Sequence, residues 1–122
     1  MQDFRKLKVW ERANDLAPRV RELTRSFPKT GYRSLREQMI TAVESIPFNI
    51  AEGCGANTSK EFARYLDIAA KSTTELEAEL LLSLNYQIAS EPAINSCSEE
   101  VVEIRRMLRG LRKRVLGSGR LS

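Results

Sequence analysis

A run of basic residues near the end of the chain has the spacing to bind a polyanion. Arg105, Arg109 and Arg112 recur at steps of four and three residues, so they form one stripe on an α-helix. Arg106 and Lys113 lie a heptad apart and form a second stripe. Arginine suits phosphate because its planar guanidinium donates two parallel hydrogen bonds. The same side chains can instead pair with neighbouring helices, and the spacing leaves both roles open.

The charge of the chain is divided along its length. Residues 1–33 carry a net charge of +5, residues 34–104 carry −8 and residues 105–122 carry +7. If the basic ends lie side by side, Arg5 and Lys6 would share a positive face with the C-terminal arginines, and that face would attract polyanions. If the ends pack on the acidic middle, the charges pair within the fold. The sequence leaves both arrangements open.

The residues that carry most enzyme chemistry are missing. The chain has no histidine, which removes the commonest general base and argues against Glu-x-x-His di-iron sites and Cys/His zinc sites. Glycine-rich phosphate loops and nucleophile elbows are also absent from the sequence. Glu75, Glu77 and Glu79 are expected to form surface salt bridges. We therefore predict no catalytic residues, no metal site and no cofactor.

The size and cysteine content are typical of one small domain. The chain has 122 residues, and we predict a single domain over 1–117 with a frayed tail over 118–122. Cys54 and Cys97 are distant in sequence and are expected to be reduced thiols. No apolar run reaches the roughly 18 residues of a membrane span, and the N-terminus does not resemble a secretory signal. These features predict a cytoplasmic protein.

Apolar residues at alternating steps of four and three predict four amphipathic helices. Short connections between such helices favour an all-α, antiparallel up-down four-helix bundle. The predicted core stripes are Val9, Ala13, Leu16, Val20, Leu23 and Phe27; Leu35, Met39, Ala42, Ile46 and Ile50; Phe62, Leu66, Ala69, Thr73, Leu76 and Leu80; and Val101, Ile104, Leu108, Leu111 and Val115.

Capping signals predict where the helices begin and end. Ser34 and Glu37 have the spacing of a capping box at the start of the second helix, and Gly53 is placed as its C-terminal cap. The last helix begins at either Ser90 or Ser98, and the sequence does not decide between them.

A proline and an asparagine interrupt the second helix within the segment SIPFNIAEG, residues 45–53. Pro47 removes one backbone hydrogen bond, and Asn49 is a poor helix former. Such an irregularity needs a packing or assembly role. We expect Asn49, Glu52 and, on the third helix, Glu75 to tie the bend at Pro47 to its neighbour.

Several segments, spread over nearly the whole chain, match the signature of one known family. They are residues 4–10, 23–28, 45–47, 49–53, 59–62, 75–77 and 103–108, together with Ser72, Gly110 and Leu111. In this order they resemble the bacterial proteins named after 23S rRNA intervening sequences, also called the S23 ribosomal protein family. The chain departs from the family at Ile40 and Thr41, where many members carry a basic pair. It also departs at Phe48, which replaces a small polar residue, and at Lys71, which replaces a glycine.

The resemblance implies a fold and an assembly. The family implies an up-down four-helix bundle that assembles into a homopentamer. It is also similar to the accessory proteins of diversity-generating retroelements, which are pentameric and associate with nucleic acid. The missing basic pair at Ile40 and Thr41 removes a nucleic-acid contact expected on the second helix.

These observations predict a non-enzymatic homopentamer that binds RNA or DNA through phosphate contacts. Five copies would multiply a modest basic patch without any reading of base sequence. The predicted contacts are Arg105, Arg106, Arg109, Arg112 and Lys113, with Arg5 and Lys6 in support. The alternative is a protein-interaction scaffold whose acidic middle helices present a surface to a basic partner, with no nucleic-acid role.

Overall fold

Four long helices account for almost all of the chain. The computed structural model describes residues 2–121, with side chains described as far as Gly117, and this part of the chain contains no strand. A short 3-10 turn, η1, precedes the helices. The elements are η1 (Phe4–Lys6), α1 (Lys8–Arg25), α2 (Arg33–Cys54), α3 (Ser59–Tyr86) and α4 (Glu91–Leu121). None of the described helices is long and apolar enough to cross a membrane.

Each helix runs antiparallel to its neighbours, as contacts between their side chains show. Where α2 meets α3, Ser45 pairs with Ser72, and Met39 pairs with Ser83 farther along α3. The other interfaces between neighbouring helices, which we call seams, are also antiparallel and close the bundle. Their polar contacts are Arg21–Glu44 between α1 and α2, Glu77–Arg105 and Asp67–Arg112 between α3 and α4, and Arg12–Glu100 and Arg19–Ser96 between α1 and α4.

The predicted apolar stripes form the core. Leu16, Met39, Ile46, Leu76 and Ile104 are fully buried where the helices meet. Burial of large aliphatic side chains stabilises the fold by roughly 1.5–3 kcal/mol each. Two members of the predicted set, Phe62 and Val115, are only partly buried and pack against the rim of this core.

The predicted capping box at the start of α2 is wrong. The N-cap is Tyr32, which makes no side-chain capping bond, and Ser34 lies inside the first turn. Gly31 and Tyr32 both have positive φ, so the chain enters the helix through a left-handed turn. The Arg36 guanidinium fixes this turn by donating hydrogen bonds to the carbonyls of Thr24 and Pro28.

The other helix ends correct the predicted cap at Gly53 and decide between the two predicted starts of the last helix. Gly53 lies inside α2, and the C-cap is Gly55. Thr58 caps α3 by accepting a hydrogen bond from the Glu61 amide at 3.1 Å. The last helix begins after Ser90, whose hydroxyl accepts from the Ala93 amide, and continues past Gly117 to Leu121.

Candidate nucleic-acid interface

The first arginine stripe faces α3, and two of its members bind carboxylates there. Arg105 Nη1 lies 2.8 Å from Glu77 Oε1, although this nitrogen makes no hydrogen bond of good geometry. The Arg112 Nε atom donates to Asp67 Oδ1 at 2.6 Å. Because the Arg105 side chain is only 16% exposed, it is the least accessible of the predicted phosphate contacts. Arg109 is exposed and has no carboxylate partner among residues 2–117.

The second stripe faces solvent beside the beginning of α1. Arg106 pairs with Glu103 of its own helix at 2.6 Å, and Lys113 is exposed. Arg106 and Arg114 line a groove of about 220 Å³ with Lys8 of α1. We call Lys8, Arg106, Lys113 and Arg114 the basic surface. It combines cations from both ends of the chain.

Arg5 and Lys6 lie one short turn before this surface. Arg5 forms an ion pair with Asp3; the Arg5 side chain is 73% exposed and the Asp3 side chain is 35% exposed. Lys6 is exposed on η1, which packs against α1 and α2. Leu7, which follows them, lines the same groove as Arg106 and Arg114. The two residues therefore extend the edge of the basic surface rather than its centre.

Lys8 is a member of the basic surface that the sequence analysis did not select. Its position follows from the antiparallel packing of α1 on α4, which Arg12 and Glu100 fix through two hydrogen bonds of 2.6 and 2.8 Å. In such a pair the first residue of one helix lies beside the end of the other. The antiparallel topology, rather than the local sequence, could have predicted that Lys8 belongs to this surface.

Both charge arrangements that the sequence left open occur in this fold. The ends pair with the middle through Arg105, Arg112 and Arg21, which contacts Glu44 at 3.3 Å. The basic surface remains at the end of the bundle where α1 begins and α4 ends. In the described residues, its lysines and arginines form no ion pair with a carboxylate of α2 or α3; Lys8 and Arg106 pair only within their own helices.

The segment of α2 around Pro47 is held by a short chain of hydrogen bonds. Pro47 is buried, and α2 continues across it. The Asn49 side-chain amide donates to the Ser45 carbonyl at 2.8 Å and to the Ser45 hydroxyl at 3.0 Å. The Ser72 hydroxyl of α3 donates to the same Ser45 hydroxyl at 2.8 Å. Asn49 therefore reaches α3 through Ser45.

Replacing Asn49 by leucine should weaken the fold. The variant loses both bonds to Ser45, and we expect a free energy of unfolding lower by about 1 kcal/mol. Thr41→Leu, at an exposed position of the same helix, is the matched control. Thermal melting and the mass of the assembly measure the effect. Equal melting temperatures for the two variants and the parent would contradict a structural role for Asn49.

Glu79 is a carboxylate in an unusual environment. Its residue is 7% exposed, and its Oε1 atom has no hydrogen-bond partner in the described part of the chain. Burial first, and the charge of Glu75 second, raise the pKa of Glu79 to about 7. By contrast, Glu52 and Glu75 are exposed and, in the described residues, make no hydrogen bond to the neighbouring helix, so neither forms the expected tie beside Pro47. The surface salt bridges expected for Glu75 and Glu79 are therefore not formed in the described residues, whereas Glu77 pairs with Arg105.

Gly53 allows the end of α2 to approach the start of α3. A Cβ atom at this position would lie 2.8 Å from Phe62 Cδ1 and 3.1 Å from Tyr65 Cβ. Contacts this short force neighbouring atoms to move. The residue predicted as a cap is thus needed for helix packing.

The two cysteines are buried and free. Burial, with the charge of Asp3 second, raises the pKa of the Cys54 thiol to about 11, and burial also raises that of Cys97. Both side chains therefore remain protonated and poorly nucleophilic near neutral pH. In the described residues, no group of three acidic or cysteine side chains is placed to hold a metal ion.

Comparison with known proteins agrees with this architecture. A solved structure from Bacteroides thetaiotaomicron, a protein of unknown function from the S23 ribosomal protein family, superposes with a TM-score of 0.80. The two chains are 23% identical over 86% of this chain and 98% of the other, a level that supports the fold alone. No curated protein has a sequence similar enough to count as a match. The profile of the 23S rRNA-intervening sequence protein family matches residues 5–110. The chain therefore belongs to the 23S rRNA-intervening sequence protein family.

Proposed function

We propose that this protein is a non-enzymatic homo-oligomer, a homopentamer, that binds the phosphate backbone of RNA or DNA. The observation that carries the proposal is the basic surface at one end of the bundle. Lys8, Arg106 and Arg114 converge there on one groove from two different helices. An oligomer would present several copies of this surface to one nucleic acid, and its overall affinity would be higher than that of a single copy.

The chemistry of the surface favours the backbone over the bases. The residues that line the groove include no aromatic side chain on which a base could stack. The aromatic residues nearest in sequence, Phe4 and Trp10, pack against each other at 5.0 Å and line a different groove, between α1 and α2. Binding should therefore depend on charge and tolerate changes of base sequence.

Charge reversal of the basic surface tests the proposal. The triple variant Arg106→Glu, Lys113→Glu, Arg114→Glu should bind RNA about 100-fold more weakly than the parent at low salt. RNA is the first probe because the family is named for intervening sequences of 23S rRNA.

The chain offers a control with the same change of charge. Arg25, Lys29 and Arg33 are exposed at the opposite end of the bundle, and two of them also pair within their own helix. The variant Arg25→Glu, Lys29→Glu, Arg33→Glu should bind RNA nearly as well as the parent. Equal losses in both triple variants would show that net charge alone matters and would overturn the site. No RNA or DNA binding by the parent would favour the protein-interaction scaffold instead.

A further inference from the structure

A pocket opens beside the groove of the basic surface, where α2 ends and α3 begins. It has a volume of about 480 Å³, within the range of roughly 300–1,000 Å³ that is usual for small-ligand sites. Leu7, Leu111 and Arg114 line both the pocket and the groove, so the two are continuous. We call it the end pocket. A strand whose phosphates lie in the groove could therefore place one of its bases in the end pocket.

One part of the lining of the end pocket is apolar and includes an aromatic ring. It is formed by Leu7, Phe62, Leu111 and Val115. The partly buried ring of Phe62 packs directly on the backbone of Gly53, because a Cβ atom there would lie 2.8 Å from Phe62 Cδ1 and 3.2 Å from Cε1. An aromatic ring in a pocket wall is a surface on which a base can stack, and every base has a face that can use it.

Polar side chains also line the end pocket. Those of Gln2, Asn57 and Ser59 make no hydrogen bond to another of the described residues, so their donors and acceptors remain available. The backbone amide of Gln2 donates to the Cys54 carbonyl at 3.1 Å, which holds the start of the chain against the end of α2. Amide and hydroxyl groups both donate and accept hydrogen bonds. They therefore suit the polar edge of a base without selecting one base.

The charge of the lining favours an anionic ligand. Among the described residues that line the end pocket, Arg114 carries a charge and none is acidic. Two other grooves on the bundle have similar volumes of about 460 Å³, but Glu22 lines one and Glu44 lines the other. A guanidinium beside an aromatic wall matches a nucleotide, in which a phosphate is joined to a base through the sugar.

We propose that the end pocket holds one unpaired nucleotide of a strand bound on the basic surface. Its base stacks on Phe62, and its phosphate contacts Arg114. This inference rests on the proposed nucleic-acid binding and adds a preference that phosphate contacts alone do not give. A paired base leaves its duplex only at the cost of its pairing and stacking, so the pocket favours single strands and unpaired ends. The base sequence of the remaining strand stays unread.

Two single-stranded probes of equal charge test the end pocket. One is a short oligouridylate, and the other is a chain of abasic ribose phosphates of the same length. Phosphate contacts alone predict equal affinities, because the two backbones carry the same charge. A base in the pocket predicts about tenfold tighter binding of the oligouridylate, the size of one base–aromatic stack. Fluorescence anisotropy at one fixed salt concentration measures both affinities.

Filling the end pocket should abolish this preference. Ala56 is half-buried and lines the pocket, and Ala56→Trp should bind the oligouridylate about tenfold more weakly than the parent does. It should bind the abasic chain like the parent, and that binding also shows that the variant is folded. Val115→Trp, which fills the pocket from α4, should give the same result. Ala89→Trp is the matched control, because Ala89 is also half-buried in a loop but lies at the other end of the bundle.

The results that would overturn the inference are distinguishable. Equal affinities of the parent for the two probes would leave phosphate binding intact and exclude a base in the pocket. A preference for the oligouridylate that survives both pocket-filling variants would mean that the base binds elsewhere. Uridine monophosphate that binds as tightly as the oligouridylate would show that the pocket takes a free nucleotide rather than part of a strand. If the parent binds neither probe at low salt, the proposed function fails together with the pocket.

Discussion

Replacing Gly53 by alanine should lower the free energy of unfolding by about 2 kcal/mol, and replacement by valine by about 3 kcal/mol. The added Cβ would meet Phe62 Cδ1 at 2.8 Å and Tyr65 Cβ at 3.1 Å. The Tyr65 atom is joined directly to the backbone of α3, so relief requires α2 and α3 to separate at this end. Chemical denaturation of the two variants measures the loss.

Gly55 provides the matched control for this prediction. A Cβ there would lie 3.6 Å from the Glu52 carbonyl oxygen, an ordinary contact, and the backbone φ is −87°. Gly55→Ala should therefore change the free energy of unfolding by less than about 0.5 kcal/mol. A Gly53→Ala variant as stable as the parent, or more stable, would contradict the close-packing role. It would mean that the Phe62 ring moves aside and that the roughly 1 kcal/mol gain in helix propensity prevails.

The folded protein should become less stable as the pH rises through neutrality, because of the buried carboxyl group of Glu79. The folded state holds its proton up to a pKa of about 7, whereas the ordinary value is 4.5. The folded state therefore binds more protons between these values, and the free energy of unfolding falls as the pH rises from about 4.5 to above 7. The full difference is about 3 kcal/mol.

The variant Glu79→Gln should lose most of this pH dependence and should be more stable than the parent above pH 7, as chemical denaturation across this pH range would measure. Glu52→Gln, which changes an exposed carboxylate near the same seam, should leave the dependence intact. A pH profile that is the same with and without Glu79→Gln would contradict the buried, unpartnered carboxylate.

The sequence predicted the architecture well because the core depends on periodicity. Stripes such as Val9, Ala13 and Leu16 repeat at helical spacing, and burial follows from that pattern alone. Helix ends depend on the backbone conformation of individual residues, and the periodicity of apolar residues does not show this conformation. The left-handed pair Gly31 and Tyr32 therefore replaced the expected capping box at Ser34.

The candidate site was harder to predict because it depends on how helices align. Arg105 and Arg112 looked equivalent to Arg109 in sequence, yet only they meet carboxylates of α3. Which residues face each other across a seam is set by the relative shift of two helices, and one helix's spacing cannot give it. For the same reason, the position of Lys8 beside α4 could not be predicted from the sequence.

The burial of Glu79 could not be predicted from the sequence for a third reason. It stands in a row with Glu75 that is typical of a solvated helix face, and a charged residue is seldom buried without a partner. In the fold, Glu79 is buried and Glu75 stays exposed. Burial of this carboxylate follows from packing between helices rather than from its position in the sequence.

Phosphate binding by the basic surface is best tested by the salt dependence of RNA binding. Affinities of the parent and of the variant Arg106→Glu, Lys113→Glu, Arg114→Glu would be measured between about 50 mM and 200 mM salt, with duplex DNA in parallel. We expect the affinity of the parent to fall steeply as the salt concentration rises. The log–log slope of the variant should be shallower by about 2–3 for each engaged subunit, since three cations are removed. The same slope for both proteins, or no binding by the parent at the lowest salt, would contradict phosphate binding by this surface.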